Sequence, residues 1–423
     1  MKIVHIITRL ILGGAQENTL ITCKLLAERG HDVTLITGPA LGPEGELFNQ
    51  TKSQKYKVIV IDELRRAIEP IKDFISYKKI KRCLKAIQPD IVHTHSAKAG
   101  ILGRFAAHGL CHCEACKAGR GNLVPEFEIA SSSRPAMGGT PRNDRAKRHR
   151  PKIVHTIHGL AFHPYQCNWL NKFYIAIEKS AAKRTDFFIS VADAMTSQAL
   201  AAGMGRPEQY ITAYSAIEED AFLKPIPQEH KKEFRLKYEI PDDAIVLITI
   251  ARLFMLKGHD YIIESAQQIS KRFENAVWLF VGDGNLIDYY KEQVRQIGLA
   301  DKIKFTGLLP PSQIPLAIQS SNILVHCSLR EGLARTLPQA MLCGKPAVSF
   351  DVDGAREVVN ENTGRLIEPK NVEQLTKACA ELIADKNLCH RLGKAGREFV
   401  KEKFAPERMG DTIEIVYQKL LGT

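Results

Sequence analysis

Short apolar runs alternate with amphipathic segments along this chain, and the alternation begins twice. Residues 2–7 have the length and composition of a buried strand. Residues 15–29 carry Leu20, Ile21, Leu25 and Leu26 at helical spacing, Gly30 follows as a cap, and residues 31–37 read as a second strand. This is a βαβ opening. The order restarts with strands over 245–251 and 277–281 around a helix near 259–272, then a helix near 286–297 and strands at 323–326 and 346–350. Alternation of this kind builds parallel sheets covered by helices, so the expected fold class is α/β with two Rossmann-like doubly wound domains. At 423 residues the chain exceeds a single core, in keeping with two. Ligands of such sheets lie beyond the carboxyl ends of the strands, which puts the expected active site in an interdomain cleft.

The polar stretch 218–243, with Pro225, Pro227 and Pro241, marks the passage between the domains, giving expected bounds of 1–217 and 218–405. One segment breaks the alternation. Residues 108–150 are rich in Gly, Ser, Pro and basic side chains without sustained periodicity, and such a loop is expected to be a disordered insertion. It holds Cys111, Cys113 and Cys116 beside His108 and His112. These are too crowded for the separated knuckles of a structural zinc site, and no second cysteine pair follows. The other cysteines, such as Cys23, Cys83, Cys327, Cys343 and Cys379, are scattered singly and read as reduced, buried small hydrophobes. No run reaches the roughly 18 to 20 apolar residues of a membrane span, and the basic start is not followed by a signal core, so the protein is expected in the cytoplasm.

The formal net charge is +12. Its main concentration, Lys72, Lys78, Lys79, Lys81, Arg82 and Lys85, interleaves with Phe74, Ile75, Ile80, Leu84 and Ile87 as a basic amphipathic helix. Two readings stand: a solvated outer face, or peripheral docking on an anionic membrane surface at the inner face of the plasma membrane. Nucleic acid is not an expected partner, because no recognised motif accompanies the charge.

Arg252 stands just after one expected strand, in Ile250-Ala251-Arg252-Leu253, with Lys257-Gly258 close behind; Glu331-Gly332-Leu333 follows another strand. A guanidinium and an ammonium suit a diphosphate, and a carboxylate suits sugar hydroxyls. Around them stand, in order, Gly13-Gly14-Ala15-Gln16, Asp90-Ile91-Val92-His93-Thr94-His95, His155-Thr156-Ile157-His158-Gly159, Val281-Gly282-Asp283-Gly284, Phe305-Thr306-Gly307, Gly344-Lys345-Pro346-Ala347-Val348 and Thr363-Gly364-Arg365-Leu366. The joint order resembles the family 4 glycosyltransferases, retaining enzymes of the GT-B fold. A dinucleotide fingerprint, Gly-x-Gly-x-x-Gly, is absent.

The resemblance implies a first domain that binds the acceptor, a second that binds a nucleotide sugar, and a last helix, 406–423, that crosses back onto the first. It makes His158, Arg252, Lys257 and Glu331 the expected catalytic residues. Gly13, Gly14, Gly282, Gly307, Gly332, Leu333, Ala334 and Gln339 are the expected donor-binding ones. The expected reaction moves a hexose or N-acetylhexosamine from a nucleoside-diphosphate sugar, UDP-sugar foremost, to a lipid-linked or polysaccharide acceptor with retention. The leaving diphosphate would help deprotonate the acceptor hydroxyl, since no enzymic nucleophile is obvious. No resident cofactor or metal is expected: Arg252 and Lys257 supply the positive charge, and Asp351-Val352-Asp353 is read as a coincidental Asp-x-Asp match. Of His93 and His95, only one is expected to face the cleft.

The sequence departs from the family at Gln339, where a second glutamate is usual; loss of that charge should weaken a ribose contact by about 1 kcal/mol. A sugar-nucleotide epimerase on the same fold, or a non-catalytic sugar-nucleotide-binding subunit, are the alternatives.

Overall fold

The structure, a computed structural model, describes residues 1–40, 47–52, 54–110 and 150–423. The cysteine-rich stretch with Cys111, His112, Cys113 and Cys116, and most of the expected insertion, lie outside the described residues. His108 closes the helix Ala97–His108. The chain divides into two compact units: Met1–Val191 with Met195–Ala213 and Pro406–Thr423, and Ala192–Ala194 with Tyr214–Ala405.

The first unit holds a seven-stranded sheet of β1 (Lys2–Ile6), β2 (Asp32–Thr37), β3 (Lys57–Val60), β4 (Ile91–His95), β5 (Lys152–Ile157), β6 (Phe187–Ser190) and β7 (Tyr210–Thr212), in the order β3-β2-β1-β4-β5-β6-β7. The second holds β8 (Ile245–Ile250), β9 (Ala276–Val281), β10 (Ile303–Gly307), β11 (Ile323–His326), β12 (Ala347–Phe350) and β13 (Gly364–Ile367), in the order β10-β9-β8-β11-β12-β13. All pairings are parallel. This is the α/β class that the alternation implied. Ile91–His95 and Ala276–Val281 are buried at every position; the second reads accordingly as an unbroken apolar run, whereas the first carries His93, Thr94 and His95 into the interior.

Each sheet has its own core. In the first unit Val4, Ile6, Ile36, Val92 and Ile153 pack with Ile80 and Leu84; in the second Leu247, Trp278, Phe280, Val325 and Phe350 pack with Leu375, Leu382 and Leu392. Cys23, Cys83, Cys327, Cys343 and Cys379 are buried and free.

Two features of the first unit bear on function. The helix Pro406–Leu421 packs against the helix Gly14–Glu28. Arg29 donates to Asp411 at 2.7 Å and to Glu414 at 2.8 Å, His31 Nε2 meets Glu414 at 2.9 Å, and the buried Tyr417 hydroxyl lies 2.5 Å from His93 Nδ1. The basic helix spans Pro70–Ile87, and its apolar residues divide. Ile80 and Leu84 turn into the core, whereas Ile71 and Phe74 face outward, with the Lys78 ammonium 4.4 Å above the Phe74 ring. Lys72 and Lys79 are paired with Glu69 and Glu63, so the exposed charge on this face is carried by Lys78, Arg82 and Lys85. No helix among the described residues is long and apolar enough to cross a membrane.

Candidate active site

In the second unit the strand order reverses between β8 and β11, and loops leaving a sheet at such a point diverge and leave a crevice. The loop after β8 is pinned on both sides of it. Leu253 N–H donates to the Asp283 carbonyl and Leu286 N–H to the Leu253 carbonyl, both at 3.0 Å, which fastens the Arg252 half to the loop after β9. Leu329 N–H donates to the Leu256 carbonyl at 2.8 Å, and Ser328 Oγ donates to it at 3.2 Å, which fastens the Lys257 half to the loop after β11. Leu256 has a φ of 68°, a left-handed conformation unusual for a branched side chain, held by those two bonds.

This pinning brings Lys257 and Glu331 together: Lys257 Nζ donates to Glu331 Oε1. Both side chains stay about a fifth exposed, at 21% and 23%, so an arriving ligand can reach them. Burial pushes the Glu331 carboxyl up, but the charge and hydrogen bond of Lys257, together with His326 and the Ser328 hydroxyl, outweigh it and hold it below the ordinary carboxylate value. Its backbone N–H donates to Asp353 Oδ2 at 2.7 Å. Asp351 is bound by the Arg356 guanidinium at 3.0 and 2.5 Å. Both carboxylates of the Asp-x-Asp match are therefore engaged in holding the loop. Arg252 is exposed, its guanidinium 5.1 Å from the Phe254 ring centroid.

Gly282 is required by the fold: its φ is 141°, and a Cβ there would lie 2.1 Å from the Ala251 carbonyl oxygen. It bridges to Gly307, whose carbonyl accepts from Gly282 N–H at 3.0 Å, so these two close the β9 and β10 loop ends beside Arg252. The Gly332 carbonyl accepts from Gly354 N–H at 3.2 Å. Leu333 and Ala334 are buried, and half-buried Gln339 lies within the helix Thr336–Leu342.

In the first unit Gly13 and Gly14 open the helix Gly14–Glu28 after β1. Gly13 has a φ of 174°, which any residue adopts, and an added Cβ would meet only the flexible end of Gln16, at 2.8 Å. Backbone geometry does not demand glycine there. His158 follows β5 and joins a chain of imidazoles. Its Nε2 lies 3.0 Å from His95 Nδ1, and His95 Nε2 lies 2.9 Å from His5 Nδ1. His93 sits among them, held by Tyr417 and by Thr156 Oγ1 at 2.6 Å. The expectation that only one of His93 and His95 faces the site is corrected: residues two apart on a strand share a face, and these rings stack at 4.4 Å between centroids. Burial keeps the group neutral, lowering His5 to about 3 and placing His93, His95 and His155 well below the ordinary histidine value. Nitrogens of His5, His93 and His95 lie within 4.8 Å of one another, close enough to suggest a metal. Both His93 nitrogens are already hydrogen-bonded, however, and the other two rings bond each other.

Three groups at these sites were not singled out from sequence. His5 joins β1 to the imidazole chain, and its one signal was a histidine inside an apolar strand. Asp353, read as incidental, anchors the Glu331 backbone. His326, the last residue of β11, lies 3.8 Å from Glu331; a histidine ending a strand at the reversal point is a signal legible in hindsight.

Two family models match the chain, described as "Glycosyl transferases group 1" over residues 230–399 and "Glycosyltransferase Family 4" over residues 12–113. The chain is a glycosyltransferase of the family 4 type. An Escherichia coli relative, UDP-Gal:alpha-D-GlcNAc-diphosphoundecaprenol alpha-1,3-galactosyltransferase, is 25% identical over 99% of this glycosyltransferase and 96% of its own length. Solved structures share the GT-B fold. HepE of Anabaena in complex with UDP and glucose superposes with a TM-score of 0.75 at 19% identity, covering 99% of this chain and 100% of that one. WaaG, a glycosyltransferase involved in lipopolysaccharide biosynthesis, does so at 0.68 and 17%, covering 97% and 99%.

Proposed function

We propose that this glycosyltransferase moves a hexose or N-acetylhexosamine from a UDP-sugar to a lipid-linked or polysaccharide acceptor, with retention and without a metal. The observation that carries the reading is the Lys257–Glu331 pair at the β8/β11 reversal, on a loop whose other half presents Arg252. In this reading Lys257 and Arg252 take the diphosphate, Glu331 holds sugar hydroxyls, and His158 supports the reacting centre. Gly13, where the fold makes no demand for glycine, gives the donor a close approach to backbone. Gly14, Gly282, Gly307, Gly332, Leu333, Ala334 and Gln339 complete the donor contacts. The bound UDP of HepE and the UDP-Gal and diphosphoundecaprenol in the name of the E. coli relative support the donor and acceptor classes. Relatives named as transferases favour transfer over the epimerase alternative. Commitment of Asp351 to Arg356 and of Asp353 to the Glu331 backbone supports metal independence.

Incubation with labelled UDP-sugars, with and without membrane lipid extract and with EDTA present, tests the reading. Label is expected in the lipid fraction, with the anomeric configuration of the donor. Epimerised donor without transfer, or an inverted product, would displace it. At Gln339, the Glu variant is expected to bind UDP a few fold more tightly, since a charged acceptor on a ribose hydroxyl is worth about 1 kcal/mol more than a neutral one. Calorimetry showing equal affinities would leave Gln339 a packing role.

A lipid-linked acceptor places the enzyme at a membrane surface, and the helix Pro70–Ile87 suits this. It exposes Ile71 and Phe74 beside Lys78, Arg82 and Lys85, and the helix Asn168–Ala182 of the same unit exposes Trp169 and Phe173. Each cation near an anionic surface contributes about 1 kcal/mol. Sedimentation with anionic vesicles should exceed that with neutral ones and fall steeply with salt; equal sedimentation removes the docking role.

A further inference from the structure

Strand β11 delivers His326 to the edge of the Lys257–Glu331 pair with a polar atom uncommitted. Its Nε2 is buried, makes no hydrogen bond to any of the described residues, and lies 3.8 Å from Glu331 Oε1, the oxygen that already accepts from Lys257. The residue is 5% exposed, so water does not readily take the place of a protein partner. Ser328, the other polar side chain nearby, already supports Glu331 and is shared with the carbonyls of Leu256 and Arg330.

The pair as it stands opposes donor binding. Lys257 can serve a diphosphate fully only by turning from Glu331, and a partly buried carboxylate stripped of its cation is strongly destabilised. We propose that His326 is a positioning residue that receives the Glu331 carboxylate as Lys257 turns to the diphosphate; the inference rests on the nucleotide-sugar reading above. A movement of about 1 Å brings Nε2 to hydrogen-bond length. The exchange keeps Glu331 charged and aimed while its former partner moves away. It also gives a purpose to a buried nitrogen that has no hydrogen-bond partner among the described residues.

A double-mutant cycle read by UDP calorimetry tests this, with GDP and ADP in parallel. His326→Leu is expected to weaken UDP roughly tenfold, the scale of one hydrogen bond to a charged group. His326→Gln, which keeps an N–H donor, should stay within about threefold of the parent. In a Lys257→Met background, where Glu331 has no cation to lose, His326→Leu should change UDP affinity less than about twofold. An equal loss in both backgrounds, or no loss in the parent, overturns the proposal. Failure of every nucleotide to bind the unmutated enzyme would instead remove the nucleotide-sugar reading and this inference with it. Should His326→Leu not fold, the parent protein decides by NMR. Saturating UDP is expected to move the His326 Nε2–H resonance, assigned with His326→Gln, downfield, and an unmoved resonance counts against the exchange.

Discussion

Lys257→Ala is expected to lose a hundredfold to a thousandfold in kcat, on the order found when a group stabilising transition-state charge is removed. Affinity for the intact nucleotide sugar should fall far less. The difference arises because the diphosphate gains charge as the glycosidic bond to it breaks, so a cation beside it holds the leaving group more strongly than the ground-state donor. Arg252→Ala should behave in the same direction. Both cations sit on one loop bonded to its neighbours at Leu253 and Leu256, so neither substitution removes a loop anchor. EDTA should alter neither rate. Equal losses in affinity and turnover would reduce the two residues to uniform binders, and activity abolished by EDTA and restored by Mn²⁺ would overturn the metal-free assignment.

Acidification should unfold the first unit ahead of the second. A buried imidazole that stays neutral in the folded state becomes a liability once the unfolded chain begins to take a proton near pH 6.5. Stability from such a group is complete above that pH and is lost as pH falls toward the folded value, about 3 for His5 and about 4 for His259 and His326. Within this window each histidine costs up to about 1.4 kcal/mol per pH unit. The first unit carries His5, His93, His95 and His155, and the second His259 and His326. The two additional histidines amount to roughly 3 kcal/mol between pH 6.5 and 5. Stacking of His5, His93 and His95 adds repulsion once one is charged. Hydrogen exchange resolved by peptide at pH 7, 6 and 5 checks the order. Earlier loss of protection in β8, β9 and β11 than in β1, β4 and β5 would sink it.

What could be read from the sequence was local or periodic. The runs at 245–251 and 323–326 became β8 and β11 within one residue, because a strand buried on both faces is drawn mainly from apolar residues. Placement of Arg252 and Glu331 after those strands was legible for the same reason. The exchange partner of Glu331 was not. His326 precedes it by five residues, but its meaning depends on Lys257 arriving from another strand, through bonds at Leu256 that no pattern announces. The imidazole chain was hidden likewise: His5 and His95 lie on two strands and His158 just past a third, and only the order β1-β4-β5 makes them neighbours. The mistaken placement of His93 relative to His95 was an error about strand period. The amphipathic helix was found, but helical spacing alone did not separate Ile80 and Leu84, which enter the core, from Phe74, which does not.

The helix Pro406–Leu421 sets an order of events during synthesis. Arg29, His31 and His93 belong to the early part of the chain, yet their partners Asp411, Glu414 and Tyr417 are translated only after the whole of the second unit. A ribosome making about 5 to 20 residues per second spends some ten seconds or more on the intervening residues. Throughout that interval the apolar flank of the helix Gly14–Glu28 and the His93 ring lack their cover. The core of Val4, Ile6, Val92 and Ile153 needs nothing from that helix, so the last step of synthesis adds polar closure to a unit whose apolar centre is already made.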